Sequence, residues 1–212
     1  MIPVKYSNPN QAIVDGYNNR PPAAGDFVYW AEEVVNTVRK EIKDHYINEQ
    51  EQHCCYCDKE YPTNNNSVWD GDHIIPKKLA ARFLFEPKNL AASCRDCNIA
   101  KSESEVRVRP SRKSFPDKSA HYTIVHPHFD VYSEHIRWYG DAVRSLSPKG
   151  SKLISMCNLT RFGHLKIGAD PTPPNRTLEQ LLGKFMDPLA SRLDLQMALA
   201  AMGEYVKSVP QD

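Results

Sequence analysis

The chain has 212 residues, enough for one full domain with extensions or for two small ones. Hydrophobic residues make up 41% and charged residues 25%, an ordinary globular composition, and the net charge is +1. No apolar run approaches the ~20 residues of a membrane span, and residues 1–5 lack the charged-then-apolar order of a secretory leader. A membrane protein is therefore excluded and a secreted disulfide scaffold disfavoured. The expectation is a cytoplasmic chain with reduced thiols.

Residues 1–25, with Pro3, Pro9, Pro21 and Pro22, read as an irregular arm. From Asp26 onward Phe27, Trp30, Ala31, Val34, Val35, Val38, Ile42 and Tyr46 recur at steps of three and four. That spacing predicts one long amphipathic helix to about residue 48, with Asp26 as its N-cap. Residues 62–66 read as a loop, 67–69 and 72–75 as short strands, and Pro76 as the start of a short helix. Residues 89–93 form a second extended piece, and 94–102 a helix. Residues 122–125 read as a strand. Residues 142–146 and 152–156 flank Pro148-Lys149-Gly150 and predict a hairpin. Prolines between 171 and 175 break the chain. Residues 177–205 then read as a helix, kinked at Pro188, with Leu181, Leu182, Phe185, Leu189, Leu193, Met197 and Ala200 along one side. Three segments result: 1–52, a cysteine-bearing middle at 53–105, and an extension at 106–212.

Six cysteines are present, and four of them form two C-x-x-C pairs, Cys54–Cys57 and Cys94–Cys97. Two residues between thiolates let a tight turn aim both sulfurs at one ion. Two such pairs supply the closed tetrahedral shell of structural zinc. Cys55 lies inside the first pair and reads as a bystander. Cys157, among Ile154, Met156 and Leu159, reads as a small core residue.

Polar residues between the pairs carry the chemistry. Asp72-His73 stands on a short apolar strand, Asn89 follows 16 residues later, and Asn98 directly follows Cys97, with Lys101 three further on. Zinc would tie the strand to the helix and gather Asp72, His73 and Asn98 into one unit. A carboxylate and an amide oxygen suit Mg²⁺ or Mn²⁺. A neutral histidine beside such an ion suits a general base for phosphodiester hydrolysis. Asp70 shares the strand face of Asp72 but reads better as a turn acid.

Charge is unevenly spread. Residues 26–52 hold seven acids and three bases, whereas residues 101–118 hold six bases and three acids. Lys101, Arg107, Arg109, Arg112 and Lys113 are therefore the candidate phosphate contacts just after the helix. Their plain alternative is a solvated face. His126, His128 and His135 lack a ligand pattern and read as structural or substrate-side residues.

The run Cys54-x-x-Cys57, Asp72-His73-Ile74-Ile75-Pro76, Asn89-Leu90 and Cys94-x-x-Cys97-Asn98-x-x-Lys101 resembles the HNH endonucleases, the ββα-metal nucleases. The resemblance covers about a quarter of the chain. It implies an α+β fold with a zinc-stapled ββα core at 53–105, preceded by a long helix and followed by a mixed, helix-rich extension. By this resemblance His73 is the base, Asp72 and Asn98 bind the catalytic ion, Asn89 steadies the loop positioning the histidine, and the cysteines hold Zn²⁺. Its products carry 5′-phosphate and 3′-hydroxyl ends, and its substrate is nucleic acid, DNA in the first instance.

The segment from His121 to Asp130, with His135 after it, is also similar to small bacterial HNH proteins. These include the nuclease subunits of Septu-like and retron-linked anti-phage systems, which work beside an ATPase. The long apolar helices are suited to an oligomer interface. A second function class stays open: a zinc module that binds nucleic acid or protein without catalysis, for which Asp72, His73 and Asn98 would be superfluous.

Overall fold

A computed structural model describes residues 1–21, 23, 25–63, 65, 67–166, 183–185, 187 and 189–208. The chain divides into two compact units. The first comprises residues 1–131 with 156–158, and the second 132–155 with 159–212. The content is α+β with two small sheets, each of two strands.

In the first unit the amino-terminal arm is not irregular. It contains helix α1, Asn8–Asn18, with a proline in its first turn. Proline there costs nothing, because that N–H has no helical partner in any case. Val14 and Tyr17 are the apolar residues that α1 buries. The expected long helix is shorter than its stripe. Asp26–Ala31 and Glu33–Val35 are 3₁₀ turns, separated by Glu32 in extended conformation, and helix α2 is Asn36–Glu49. Apolar residues three apart fit a 3₁₀ turn as well as an α-helix, so the sequence pattern could not separate them. Asp26 caps no α-helix; its carboxylate accepts the Ala23 N–H.

α2 buries Val38, Ile42, Tyr46 and Ile47. At about 25 cal/mol per Å² of apolar surface, four such side chains are worth several kcal/mol of cohesion before chain entropy is counted. The Tyr46 hydroxyl donates to the Pro87 carbonyl at 2.6 Å and accepts the Val4 N–H at 3.1 Å, fastening the arm to the helix.

Strand β1, Trp69–His73, pairs antiparallel with β2, Leu90–Cys94, in the register Asp70↔Ser93, Asp72↔Ala91 and His73↔Leu90. Helix α3, Arg95–Lys101, follows β2 without a loop. Both α2 and α3 pack against this hairpin. The two expected strands on either side of Asp70-Gly71 are one continuous strand. The helix expected from Pro76 is reduced to a 3₁₀ turn at Ala81–Phe83. Residues 122–125 make only an isolated bridge, Arg107↔Tyr122. Of the loop expected at 62–66, Asn64 and Asn66 lie outside the described residues.

In the second unit β3, Ile136–Tyr139, pairs with β4, Ala142–Ser145, through a two-residue turn at Gly140-Asp141. Gly140 has φ +63°, the left-handed value such a turn requires. Residues 152–156 are therefore not a strand. They belong to helix α4, Pro148–Met156, with Pro148 at its start. A Cβ on Gly150 would lie 2.0 Å from the His135 carbonyl oxygen, so α4 approaches β3 this closely only with glycine there. Helix α5 is Arg161–Lys166 and helix α6 is Arg192–Ser208. The prolines at 171–175, Leu181, Leu182 and Pro188 lie outside the described residues. Leu189, Leu193 and Met197, expected on an apolar face, are exposed. No helix among the described residues is long and apolar enough to cross a membrane.

Candidate metal centre and nuclease site

The four cysteines Cys54, Cys57, Cys94 and Cys97 are buried, and their sulfurs all lie within 4.8 Å of one another. Tetrahedral Zn–S bonds of 2.3 Å would place thiolates about 3.8 Å apart. The Sγ atoms of Cys57 and Cys94 are 4.0 Å apart, so the donor set fits zinc. Four thiolates this close would repel one another in a buried site without a cation. The first turn closes through an Asp58 N–H bond to the Cys54 carbonyl at 2.8 Å, with Asp58 at φ 55°. Aspartate tolerates that left-handed conformation better than most residues. Cys55 stays outside the cluster, and Cys157 is buried.

The knuckle positions more than sulfur. Tyr56, between the first two ligands and fully buried, donates its hydroxyl to Asp72 Oδ2 at 2.5 Å. Lys101, at the far end of α3 and 1% exposed, places its ammonium 3.0 Å from Asp72 Oδ2 and 2.9 Å from the His73 carbonyl oxygen. Lys101 is thus an internal counter-ion, not the phosphate contact expected from its position on a helix. Arg107 is likewise turned inward. It is 6% exposed and grips Glu105 through Nε and Nη2, which holds that carboxyl below its usual range. Arg109 and Lys113 are exposed, and Arg112 is half-buried.

Asp70 has the opposite surroundings. It sits in the strand, not in a turn, and its Oδ2 accepts the Asn98 Nδ2–H at 2.9 Å. Both residues line an open pocket of about 500 Å³, together with Trp30 and Gly71. The sequence signal for Asp70 was its two-residue spacing from Asp72 on one strand face. What that spacing could not supply was the difference in exposure.

His73 ends β1 and is 4% exposed. Its Nε2 lies 2.9 Å from the Leu84 carbonyl, which can only accept, so Nε2 carries the proton and Nδ1 the lone pair. Burial, with help from the nearby Lys77 and Lys101 charges, pushes its pKa down to about 3 and keeps the ring neutral. The Trp30 ring meets His73 edge-on at 4.4 Å, so the indole that lines the Asp70–Asn98 pocket also covers the histidine.

Asn89 is fully buried and ties down the chain after His73. Its Oδ1 accepts the Ile75 N–H at 2.8 Å, and its Nδ2 donates to the carbonyls of Ile75 and Phe83. His126 and His128 are packed side by side in the first unit, and His128 Nε2 bonds the Leu90 carbonyl at 2.9 Å. His135, in the second unit, bonds Ser147 Oγ.

A ββα hairpin and helix stapled by four cysteines, with histidine and asparagine at these places, define a metal-nuclease architecture. Residues 54–104 match the HNH endonuclease family model, so the resemblance holds for that quarter of the chain. The chain is also similar to the Septu protein PtuB of Bacillus thuringiensis, 21% identical over 112 residues. That stretch is 53% of this chain and 38% of the relative, so well under half of the relative's length is covered. No solved structure matches the chain.

Proposed function

We propose that this chain is a metal-dependent endonuclease that hydrolyses phosphodiester bonds of nucleic acid, DNA in the first instance. The observation that carries this reading is the joining of three features in one hairpin-helix unit. They are a zinc-type cysteine cluster, an Asp70–Asn98 donor pair open to a pocket, and a neutral histidine with its tautomer set by a carbonyl. Asn98 and Asp70 offer hard oxygen donors for a Mg²⁺- or Mn²⁺-type ion. When bound, such an ion supplies charge stabilisation at the phosphoryl oxygens. The Asp72 assignment implied by the resemblance requires the Lys101 ammonium to leave first; Asp70 needs no such exchange. His73 takes the proton of the attacking water at Nδ1. Asn89 holds the following loop, so that the Leu84 carbonyl stays in place behind the ring.

The similarity to a Septu protein supports an anti-phage setting, with an ATPase beside the nuclease as the resemblance implies. The exposed leucines of the second unit are suited to such a partner or to a second copy.

The test is nicking of supercoiled plasmid with Mg²⁺, with Mn²⁺ and with EDTA. His73→Ala should lower the rate by about 10²–10⁴ while zinc content is unchanged. Cutting by the variant at the wild-type rate would remove His73 from the chemistry. A folded, zinc-loaded wild type that binds nucleic acid without cutting it would favour the zinc-module reading.

A further inference from the structure

By its charge count the α2 region is acidic, with seven acids against three bases over residues 26–52. Three of its seven acids are held on the arm side. Glu41 bonds Ser7 and Asn10, Glu49 bonds the Ile2 N–H, and Asp26 bonds the Ala23 N–H, all toward the amino-terminal arm. All three bases, Arg39, Lys40 and Lys43, line the pocket that holds Asp70 and Asn98, and Lys77 joins them from beyond β1. Lys40 is compensated by Asp44 one turn on. Arg39 bonds only neutral oxygens, those of Trp30 and Asn36. Arg39, Lys43 and Lys77 have no carboxylate partner among the described residues. Each is half-buried, and so is more weakly screened by water than a free surface lysine.

Three uncompensated cations converging on one concave surface repel one another unless an anion enters. Asp70, the acid lining that pocket, bonds the neutral Asn98 amide and offsets at most one of these three charges, which leaves the surface net positive. We infer that Arg39, Lys43 and Lys77 form the track that seats the sugar-phosphate backbone of nucleic acid beside Asp70 and Asn98. This inference rests on the nuclease reading and deepens it. It moves the binding surface from the loop at 107–113, where the sequence places the positive charge, to the face of α2. The contacts are to phosphates, so binding is independent of base sequence and strongly salt-dependent.

The test is fluorescence anisotropy of labelled duplex and labelled single strand with the full chain, without added divalent ion, over a series of salt concentrations. Each phosphate contact removed lowers the slope of log K against log salt by about one. The triple variant Arg39→Gln/Lys43→Gln/Lys77→Gln should therefore bind more weakly and lose about three units of slope on duplex. The pair Arg109→Gln/Lys113→Gln should leave the slope unchanged. Zinc content and melting of each variant are measured alongside. If the triple variant proves misfolded, Lys43→Gln and Lys77→Gln singly should each lose about one unit.

A slope unchanged in the folded triple variant, or lost instead in Arg109→Gln/Lys113→Gln, overturns the track. So does a wild type that binds no nucleic acid. If the track fails in this way while the wild type still cuts plasmid, the nuclease reading stands without it. If the slope falls as expected but the wild type cuts nothing with either metal, the track stands and the nuclease reading does not.

Discussion

Asp70 and Asp72 lie two residues apart on one strand and face the same helix, yet they occupy opposite environments. Asp72, 6% exposed, is closed in by the Lys101 ammonium and the Tyr56 hydroxyl. Asp70 opens onto a solvent pocket and holds a neutral amide. A buried carboxylate must be paired, and breaking the pair leaves an uncompensated charge. An open carboxylate can exchange its partner for an ion. On the proposed reading Asp72 therefore serves cohesion, while Asp70 is free to take an ion.

The largest effect should come from the staple on which both aspartates depend. Cys94→Ser should lose zinc and cooperative folding together. Apparent zinc binding energies of about 10–16 kcal/mol rival the whole stability of a domain. Zinc content and thermal unfolding by circular dichroism check this, and a metal-free variant that melts as the wild type does would refute it. Asp72→Ala comes next, at about 3–5 kcal/mol in urea unfolding, because it strands Lys101. The double variant Asp72→Leu/Lys101→Met should recover most of that loss. If it does not, the pair is more than a charge balance.

A smaller effect is expected from pH. His128 is pushed down to about 4, first by burial and then by the amino terminus and Lys88, against its bond to the Leu90 carbonyl. Tyr46 and His126 are its ring neighbours. Below about pH 6.5 the unfolded chain takes up a proton that the folded ring refuses. Stability should therefore fall from pH 6.5 toward 4, by about 1–2 kcal/mol at pH 5. His128→Gln should remove that part of the slope in urea titrations at pH 7.5 and 5. His73, pushed down to about 3, adds a slope of the same sign in both proteins. Asp70→Asn should shift stability least, within about 0.5 kcal/mol. Its cleavage rate and divalent-ion affinity should nevertheless fall by roughly tenfold or more. If Asp72→Asn abolishes ion binding and Asp70→Asn does not, the ion displaces the Lys101 ammonium and the comparison inverts.

The cysteine pairs, the Asp72-His73 strand and the helix after Cys94 were legible because each depends on spacing within a few residues. A C-x-x-C turn and an apolar strand announce themselves locally. Helix α1 is hidden in the sequence because the prolines around it outweigh the start signal in Ser7-Asn8-Pro9. The sequence places a hairpin turn at Pro148-Lys149-Gly150, because those residues carry the strongest local turn signal. In the fold Gly140-Asp141 is the turn, and Pro148 opens a helix. Turn residues mark a break in the chain, but not which neighbours pair across it.

The sequence by itself supplied the residue types: two close-spaced thiol pairs that fit zinc, and a histidine, an asparagine and aspartates of the kind a nuclease-type centre would use. Side-chain chemistry and short spacing carry that information directly. Tertiary structure decided which charges are available. Lys101 reaches back 29 residues to neutralise Asp72, and Arg107 folds onto Glu105. Meanwhile the three bases of an acidic segment meet Lys77 around Asp70 and Asn98. Burial and counter-ions belong to residues distant in the chain, and exposure, not charge count, sets which cations can meet a phosphate.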